Sequence, residues 1–535
     1  MSLSVLRKAM IRRRARIFME TREDHKRKWG LVSFLTFLSR IIGYLRDVVV
    51  AALFGAGFQT DAFYVAFRIP NLLRRLFAEG SLAAIFVPIF SEYLESGDRR
   101  EAKNALRSAF TVLFIILVLV VALGVIFSPW LVKLFAYGFD QKTFDLAVYL
   151  NRLIFPYVLF ISLTALAMGV LNSVRHFFAP AFSPVLFNLC IIASALFLYK
   201  ELEVPIVSLC FGVLGGGVLQ LLLHLFYLRE KKFTFGFTKT LNHPAVRRLA
   251  VLMFPQLFGI AVYNLNILVN TQYASFMSEG TVSYLYFAER IIEFPLGVVA
   301  VSLATVTLPA LSGHAAREDY GSFGAEYLRS LRRMLFIMVP AMVGIVALRV
   351  PLCNFLYQHG EFDYVAVINT SQAILGYGLG LFAVGGIRIT VPAFFALQDT
   401  RTPVKVAFFC FLLNAVCGFV LGFVFSLDHF GLALASSISS VANFVLLVIL
   451  LNGRLGRFLS REILLFSLRI LAVAVVMGFA VSAVAGFSPW SETGFSLDKA
   501  LIMAASVGVG VILYFLLARL IGVKEAEMFS FMRKS

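Results

Sequence analysis

The sequence predicts an all-α polytopic membrane protein, and three observations support this fold class. Of the 535 residues, 60% are hydrophobic and only 15% are charged, and the mean hydropathy is +0.87. The stretch from Phe110 to Phe127 contains neither a charge nor a proline and is long enough for a membrane-crossing helix. The apolar runs are continuous rather than alternating, which favours helices over the strands of a barrel.

We predict about 14 transmembrane helices and a cytoplasmic location for both chain termini. The predicted spans are 31–55, 61–93, 105–127, 146–172, 181–199, 204–228, 248–275, 281–312, 328–350, 364–397, 404–426, 430–452, 463–487 and 498–521. With this orientation the outer loops hold few basic residues, namely Lys133, Lys142, Lys200, Arg349 and Lys499. Most of the other Lys and Arg residues then lie in the N-terminal arm, the cytoplasmic loops and the tail, as the positive-inside rule requires.

The sequence also predicts an internal repeat. At a shift of 221 residues Thr60 aligns with Thr281 and Pro88 with Pro309, and at a similar shift Asn188 aligns with Asn414. Two six-helix lobes in parallel orientation around a central cleft follow from a repeat of this kind. The predicted organisation is a basic cytoplasmic arm (1–29), an N-terminal lobe (30–230), a C-terminal lobe (231–455), two appended helices (456–521) and a cytoplasmic tail (522–535).

Several charged residues lie inside the predicted spans, where each costs about 3 kcal/mol unless it faces a cavity or a partner. They are concentrated in the first, second and eighth helices: Arg40, Arg46, Asp47, Asp61, Arg68, Arg74, Arg75, Glu79, Glu289, Arg290 and Glu293. Spacing suggests a pair between Arg75 and Glu79. The candidates for unneutralised positive charge in the cleft are Arg40, Arg46, Arg74 and Arg290. A cluster of guanidinium groups indicates a phosphate-bearing anion, because their donors match phosphate oxygens.

Other classes of function are disfavoured. The net charge of +18 is explained by the positive-inside bias and anionic lipid, so we expect no nucleic-acid partner. The sequence contains no GxxxxGK[ST], HExxH or GxSxG motif and no acidic cluster for magnesium, which argues against an enzyme. Besides a transporter of a phosphate-bearing anion, three alternatives remain open. They are an exporter of polyprenyl-linked oligosaccharides or of small molecules, a membrane enzyme acting on polyprenyl pyrophosphates, and a non-transporting scaffold.

Several motifs resemble the MurJ (MviN) family of lipid II flippases, over about residues 30 to 520. The most specific ones are the stretch from Leu38 to Asp47, FGAG at 54–57, TDAF at 60–63 and the stretch from Phe67 to Gly80. Further matches are Phe86 to Pro88, Ala288 to Pro295 and Gln398 to Lys405.

The resemblance implies a fourteen-helix member of the multidrug/oligosaccharidyl-lipid/polysaccharide exporter superfamily, in which the last two helices form a groove for a lipid tail. The implied activity is movement of undecaprenyl-pyrophosphate disaccharide-pentapeptide to the outer leaflet of the bacterial inner membrane. The implied partners are this substrate and membrane lipids, with cell-wall synthesis or division proteins as further candidates. The implied substrate-binding residues are Arg40, Arg46, Arg74 and Arg290, with acidic partners Asp47, Asp61 and Glu293.

The resemblance also raises the question of a bound sodium ion. Some family members use carboxylates in the seventh and eleventh helices for sodium. This sequence offers only the carboxamides of Asn264, Asn266, Asn270 and Asn414 there. We therefore expect no cofactor and treat a sodium site as uncertain.

Overall fold

The computed structural model describes residues 30–74, 82–456, 461–493 and 495–526, and these are helical almost throughout, with no strand among them. The basic arm 1–29, the predicted Arg75–Glu79 pair and the end of the tail lie outside the described residues. The helices in chain order are α1 (30–54), α2 (Phe58–Arg74), α3 (Leu82–Glu95), α4 (Arg99–Ile126), α5 (Ser128–Ala136), α6 (Gln141–Ile154), α7 (Tyr157–Ser173), α8 (Phe178–Leu198), α9 (Val207–Glu230), α10 (Pro244–Ala274), α11 (Thr281–Pro295), α12 (Val301–Ala316), α13 (Tyr320–Ala347), α14 (Arg349–Tyr357), α15 (Tyr364–Gly378), α16 (Leu381–Ala396), α17 (Arg401–Phe419), α18 (Asp428–Leu455), α19 (Arg461–Ala485) and α20 (Leu497–Leu520).

Ten helices of the described part are long and apolar enough to cross a membrane. The number is eleven if α15 and α16, which meet at a bend of 42°, form one broken span. A short π-helical turn, Leu296–Ala300, directly follows Pro295 and joins α11 to α12. The all-helical membrane fold is thus confirmed, whereas the count of fourteen spans stays a prediction.

The internal repeat is visible in the helix limits. Helix α13 begins and ends 221 residues after α4, and α14 does the same relative to α5. The N-caps also correspond, because the carboxylates of Asp98 and Asp319 each accept hydrogen bonds from backbone N–H groups in the first turn of the helix that follows. A carboxylate in this position satisfies donors that have no partner within the helix. The predicted repeat is therefore confirmed.

The chain packs as two compact units. Unit 1 comprises 1–50, 67–128 and 150–258, and unit 2 comprises 51–66, 129–149 and 259–535. The limits of these units come from packing, whereas the predicted domain limits come from the sequence repeat. The predicted domain limits therefore stay a prediction.

In unit 1, helix α7 is almost entirely buried and packs against α3, α4 and α9. Glycines allow close contact with neighbouring aromatic rings: a Cβ on Gly124 would lie 1.9 Å from the Phe155 ring, and one on Gly217 would lie 2.7 Å from the Tyr157 ring. Small residues at such positions let helices approach without polar contacts, as in other membrane proteins.

In unit 2, helix α13 lies at the centre and packs against α12, α16 and α19. Helix α18 packs against α15, α16 and α17, and α20 packs against α19. Some of the buried polar groups here bond between helices. For example, the hydroxyls of Tyr327 and Thr390 lie 2.9 Å apart between α13 and α16, which satisfies both groups away from water.

Candidate functional site

Arg46 on α1 is an ion-paired arginine in unit 1, not the unneutralised charge that the sequence predicts. Its Nη2 and Nε donate to Asp47 Oδ1 at 2.7 and 3.1 Å, and its Nη1 donates to the Asn188 side-chain oxygen on α8 at 3.0 Å. Both side chains of the pair are largely buried. Asn188 is held in turn, because its Nδ2 donates to the Pro184 carbonyl at 3.0 Å. The guanidinium therefore has a fixed orientation.

Arg40 and Arg74 also belong to unit 1. Arg40 is half-buried, and no hydrogen bond or ion pair joins it to another of the described residues. Arg74 ends α2, and its Nε donates to Asn71 Oδ1 at 2.7 Å. The asparagine oxygen accepts from the guanidinium and so orients it.

Arg290 on α11 is the candidate arginine that lies in unit 2. Its Nη1 donates to Glu293 Oε2 at 3.0 Å, and its Nη2 donates to the hydroxyl of Tyr286 at 3.0 Å. The guanidinium carbon also lies 4.8 Å from the centre of the Tyr286 ring, and that ring stacks on Tyr64 at 3.8 Å. About a third of the Arg290 side chain and nearly half of the Glu293 side chain are exposed. Like Arg46, Arg290 is therefore ion-paired rather than unneutralised, and its partner Glu293 is one of the acidic residues that the resemblance implies.

Asp61 contacts a helix terminus rather than an arginine. Its Oδ2 accepts from the backbone N–H of Gly280 at 2.7 Å, and its Oδ1 accepts from the backbone N–H and the hydroxyl of Ser283 at 2.8 and 2.6 Å. Glu279 makes the reciprocal contact and accepts from the N–H of Phe58, at the start of α2, at 2.8 Å. Equivalent helices of the two repeats, α2 and α11, thus cap each other. We call Asp61, Glu279 and the helix starts that they bond the carboxylate clasp.

Sequence reasoning missed Asn188, Asn71 and Tyr286, which orient the three arginines. Tyr286 lies four residues before Arg290 and Asn71 three before Arg74, so helical spacing could have identified both. Asn188 lies 142 residues from Arg46, and no local pattern indicates that contact.

Two of the four asparagines considered for sodium, Asn270 and Asn414, bond to each other. Asn414 Nδ2 donates to Asn270 Oδ1 at 2.9 Å, and Asn270 Nδ2 donates to Ser436 Oγ at 3.0 Å, which joins α10, α17 and α18. Within the described ranges, no group of three or more His, Cys, Asp or Glu side chains is placed to hold a metal ion. The side-chain oxygens of Asn266 and Asn414 are buried and accept no hydrogen bond from the described residues. These helices lack the carboxylates that the resemblance implies for sodium, and no step below uses the ion.

The chemistry available at these helices is anion binding. Arginine stays charged and presents a planar fork of donors that matches carboxylate and phosphate oxygens, and a carboxylate neighbour holds that fork in place.

Comparisons with known proteins agree with this chemistry. The family described as "Lipid II flippase MurJ" matches residues 50–528. The lipid II flippase MurJ of Burkholderia cenocepacia is 36% identical over 509 residues, which cover 92% of this chain and 97% of that protein. The probable lipid II flippase MurJ of Vibrio cholerae is 34% identical over 508 residues, which cover 93% and 96%.

Solved structures show the same relationship. A structure of lipid II flippase MurJ in an inward closed conformation superimposes with a TM-score of 0.76 at 27% identity and covers 92% of this chain and 98% of that one. An inward-facing multidrug resistance MATE family transporter gives a TM-score of 0.67 at 15% identity, covering 79% and 94%. At that identity the second likeness shows a shared fold alone.

Proposed function

This chain belongs to the lipid II flippase MurJ family, and on that premise we propose that it moves lipid II from the cytoplasmic to the outer leaflet of the bacterial inner membrane. Lipid II is undecaprenyl-pyrophosphate disaccharide-pentapeptide, an anionic lipid. The observation that carries the proposal is the set of oriented arginines in apolar helices, Arg46, Arg74 and Arg290. No covalent bond of the substrate needs to change, so the activity is transport rather than enzymatic catalysis.

We propose that the pyrophosphate exchanges with the carboxylates that now pair with the arginines. The Arg46–Asp47 and Arg290–Glu293 contacts lie at 2.7 and 3.0 Å, so each guanidinium is already oriented for a planar acceptor. Phosphate oxygens carry more charge than one carboxylate and accept several donors at once. The substrate shifts the protein between states only by its difference in affinity for them, and this exchange provides such a difference.

The proposed cycle is alternating access, in which the carboxylate clasp at the predicted outer end breaks when the substrate leaves. The clasp consists of four hydrogen bonds between equivalent helices, of 2.6 to 2.8 Å. The polyprenyl tail would stay in lipid along α19 and α20.

A membrane potential would act on any net positive charge that the site keeps after the ion pairs re-form. It would favour return of that charge to the cytoplasmic side, at about 2.3 kcal/mol per charge per 100 mV. Collapsing the potential should therefore slow turnover, and an unchanged rate would count against this step.

Complementation tests the arginines. A host depleted of its own flippase would express wild type, Arg46→Ala, Arg46→Lys or the double variant Arg46→Ala/Asp47→Ala, with membrane levels measured by blot. Arg152, an exposed arginine on α6, provides the matched control Arg152→Ala.

The double variant separates the two roles of Arg46. If Arg46 only balances Asp47, removing both charges together should restore growth, because an ion pair can often be replaced by neutral residues. If Arg46 binds the pyrophosphate, the double variant should fail like the single one at normal abundance, while Arg152→Ala grows. Rescue by the double variant would overturn the substrate-binding role. Lysine should fail as well, since it lacks the fork of donors.

A further inference from the structure

The segment that joins the two repeats, residues 231–243, is an ordered strap on the surface of unit 1. It connects α9 to α10 without regular secondary structure. Phe233 is fully buried and meets the Phe90 ring edge-on at 5.5 Å, and Phe235 stacks on Phe110 of α4 at 4.6 Å. The strap is therefore anchored by aromatic contacts, not simply tethered at its ends.

Polar contacts fix the rest of the strap. The Thr238 N–H donates to the Thr111 hydroxyl on α4 at 3.1 Å. At the far end the Ala245 N–H donates to His243 Nδ1 at 3.1 Å, so Nε2 carries the proton and donates to Glu101 Oε1 at 3.0 Å. Glu101 and Thr111 are ten residues apart on one helix, so the strap follows α4 for about 15 Å.

The strap also lies at the boundary between charged and apolar surface. Arg107 is the last charge of α4 before its long apolar run, and the strap contacts this helix from Glu101 to Phe114. Beyond that point the face of α4 is exposed and aliphatic, with Ile115 and Leu119 among its residues. This is the surface expected to face acyl chains, so the strap occupies the level of the lipid headgroups on the predicted cytoplasmic side.

The exposed surface of the strap and of the first turn of α10 that follows it combines apolar and basic groups. Phe237 rests on the rings of Phe110 and Phe114 at 5.3 Å, yet it is 68% exposed. Lys239 and Arg247 are exposed, and no acidic side chain of the described chain pairs with them. Neighbouring acids are already engaged, since Arg248 Nη1 donates to Glu92 at 2.5 Å.

A cavity of about 580 Å³ opens beside Arg247 and Arg248. Its lining combines two guanidinium groups with aliphatic side chains: Asn242, Pro244, Arg247, Arg248, Val251 and Leu252. Val251 and Leu252 are exposed, and they lie one helical turn after the arginines, so a ligand there meets charge at one end and apolar surface at the other. A phospholipid has that arrangement, with phosphate above its acyl chains.

We propose that the strap surface binds an anionic phospholipid of the bilayer, with Phe237 and Leu252 among the acyl chains and Arg247 and Lys239 at the phosphate. Exposed aromatic and aliphatic side chains beside unpaired cations are the features of a membrane-interface site. Since it involves none of the arginines assigned to lipid II, this site is separate from the proposed transport path, and its failure would leave the flippase proposal intact.

Fluorescence quenching in nanodiscs tests the proposal on the full chain. Phe237→Trp places a reporter on the strap after Trp29, Trp130 and Trp490 are changed to Phe. The lipids are phosphatidylcholine with a small fraction of brominated phosphatidylglycerol, or of brominated phosphatidylcholine as the uncharged comparison. We expect stronger quenching by brominated phosphatidylglycerol at equal fraction. Removing each cation, in Arg247→Gln and Lys239→Gln, should raise the half-quenching fraction about fivefold.

Lys200→Gln is the matched control, because it removes the same charge from an exposed position on the predicted outer side, and it should leave the curve unchanged. Equal quenching by both brominated lipids, no quenching, or an unchanged curve in the Arg247→Gln/Lys239→Gln variant would each overturn the proposal. So would loss of quenching on addition of inorganic phosphate at millimolar concentration, which would indicate a site for soluble phosphate.

Discussion

Removing the Asp61 carboxylate should loosen the start of α11 far more than removing its reciprocal partner. Asp61 is 3% exposed and accepts from two backbone N–H groups and one hydroxyl. In Asp61→Ala the hydroxyl of Ser283 can reorient, but both N–H groups lose their acceptor at a buried helix end. Each unsatisfied donor costs about 1–3 kcal/mol, so we expect a local loss of about 2–6 kcal/mol for the two N–H groups. Glu279 is exposed and accepts a single bond, so Glu279→Ala should cost about 1 kcal/mol or less.

Hydrogen exchange measures this difference where it arises. Amide protons of the first turn of α11, followed by mass spectrometry in detergent or nanodiscs, should exchange at least about thirtyfold faster in Asp61→Ala, because about 1.4 kcal/mol corresponds to each factor of ten and the smallest expected loss is about 2 kcal/mol. Glu279→Ala should change the same amides less than tenfold. Equal exchange in Asp61→Ala and wild type would refute the reasoning, since it would mean that water or another acceptor caps α11 without cost.

Two further predictions concern single backbone and capping positions. Gly55 has a φ of +63°, and a Cβ there would lie 2.5 Å from the Glu361 carbonyl oxygen, whereas Gly97 has a φ of +78° and open space around it. Gly97→Ala should therefore cost about 1–2 kcal/mol from backbone conformation alone, and Gly55→Ala clearly more, as measured by thermal unfolding of both variants. A side-chain and a backbone hydrogen bond from Ser322 lower the pKa of Asp319, so this cap stabilises α13 above the carboxyl's unfolded pKa and is lost as pH falls through the lower folded pKa. The melting temperature of Asp319→Ala should be below that of wild type at pH 7, and the gap should narrow once the pH falls below the carboxyl's ordinary pKa of 3.8. A gap that stays unchanged down to the lowest pH at which both proteins remain folded would contradict this assignment.

How much of the site could be predicted depends on the distance along the chain between contacting residues. Arg290 and Glu293 are three apart on a helix, and their pairing follows from helical geometry alone. The family resemblance implies Asp61 as an acidic partner of arginines, yet the partners that it bonds lie 219 and 222 residues away. Charge and spacing identify residues that need a partner in a membrane. They do not identify a distant backbone N–H as that partner, since every residue but proline has one.

Prediction from the sequence meets a similar limit at the repeat, because equivalent helices of the two repeats have different neighbours. Helix α4 and helix α13 have matching limits, but Ile115 is 52% exposed while its counterpart Phe336 is 1% exposed. Phe336 is covered in unit 2 by α20, whose Tyr514 hydroxyl donates to the Phe336 carbonyl at 2.7 Å, and α19 approaches the next turns of α13 through Gly478. The face of α4 carries branched aliphatic side chains instead of small residues, and bulky aliphatic surfaces face lipid as readily as protein. Apolar periodicity therefore predicts that both helices cross the membrane. Only the position of the appended helices decides that one of the two faces is buried by protein and the other is left for lipid.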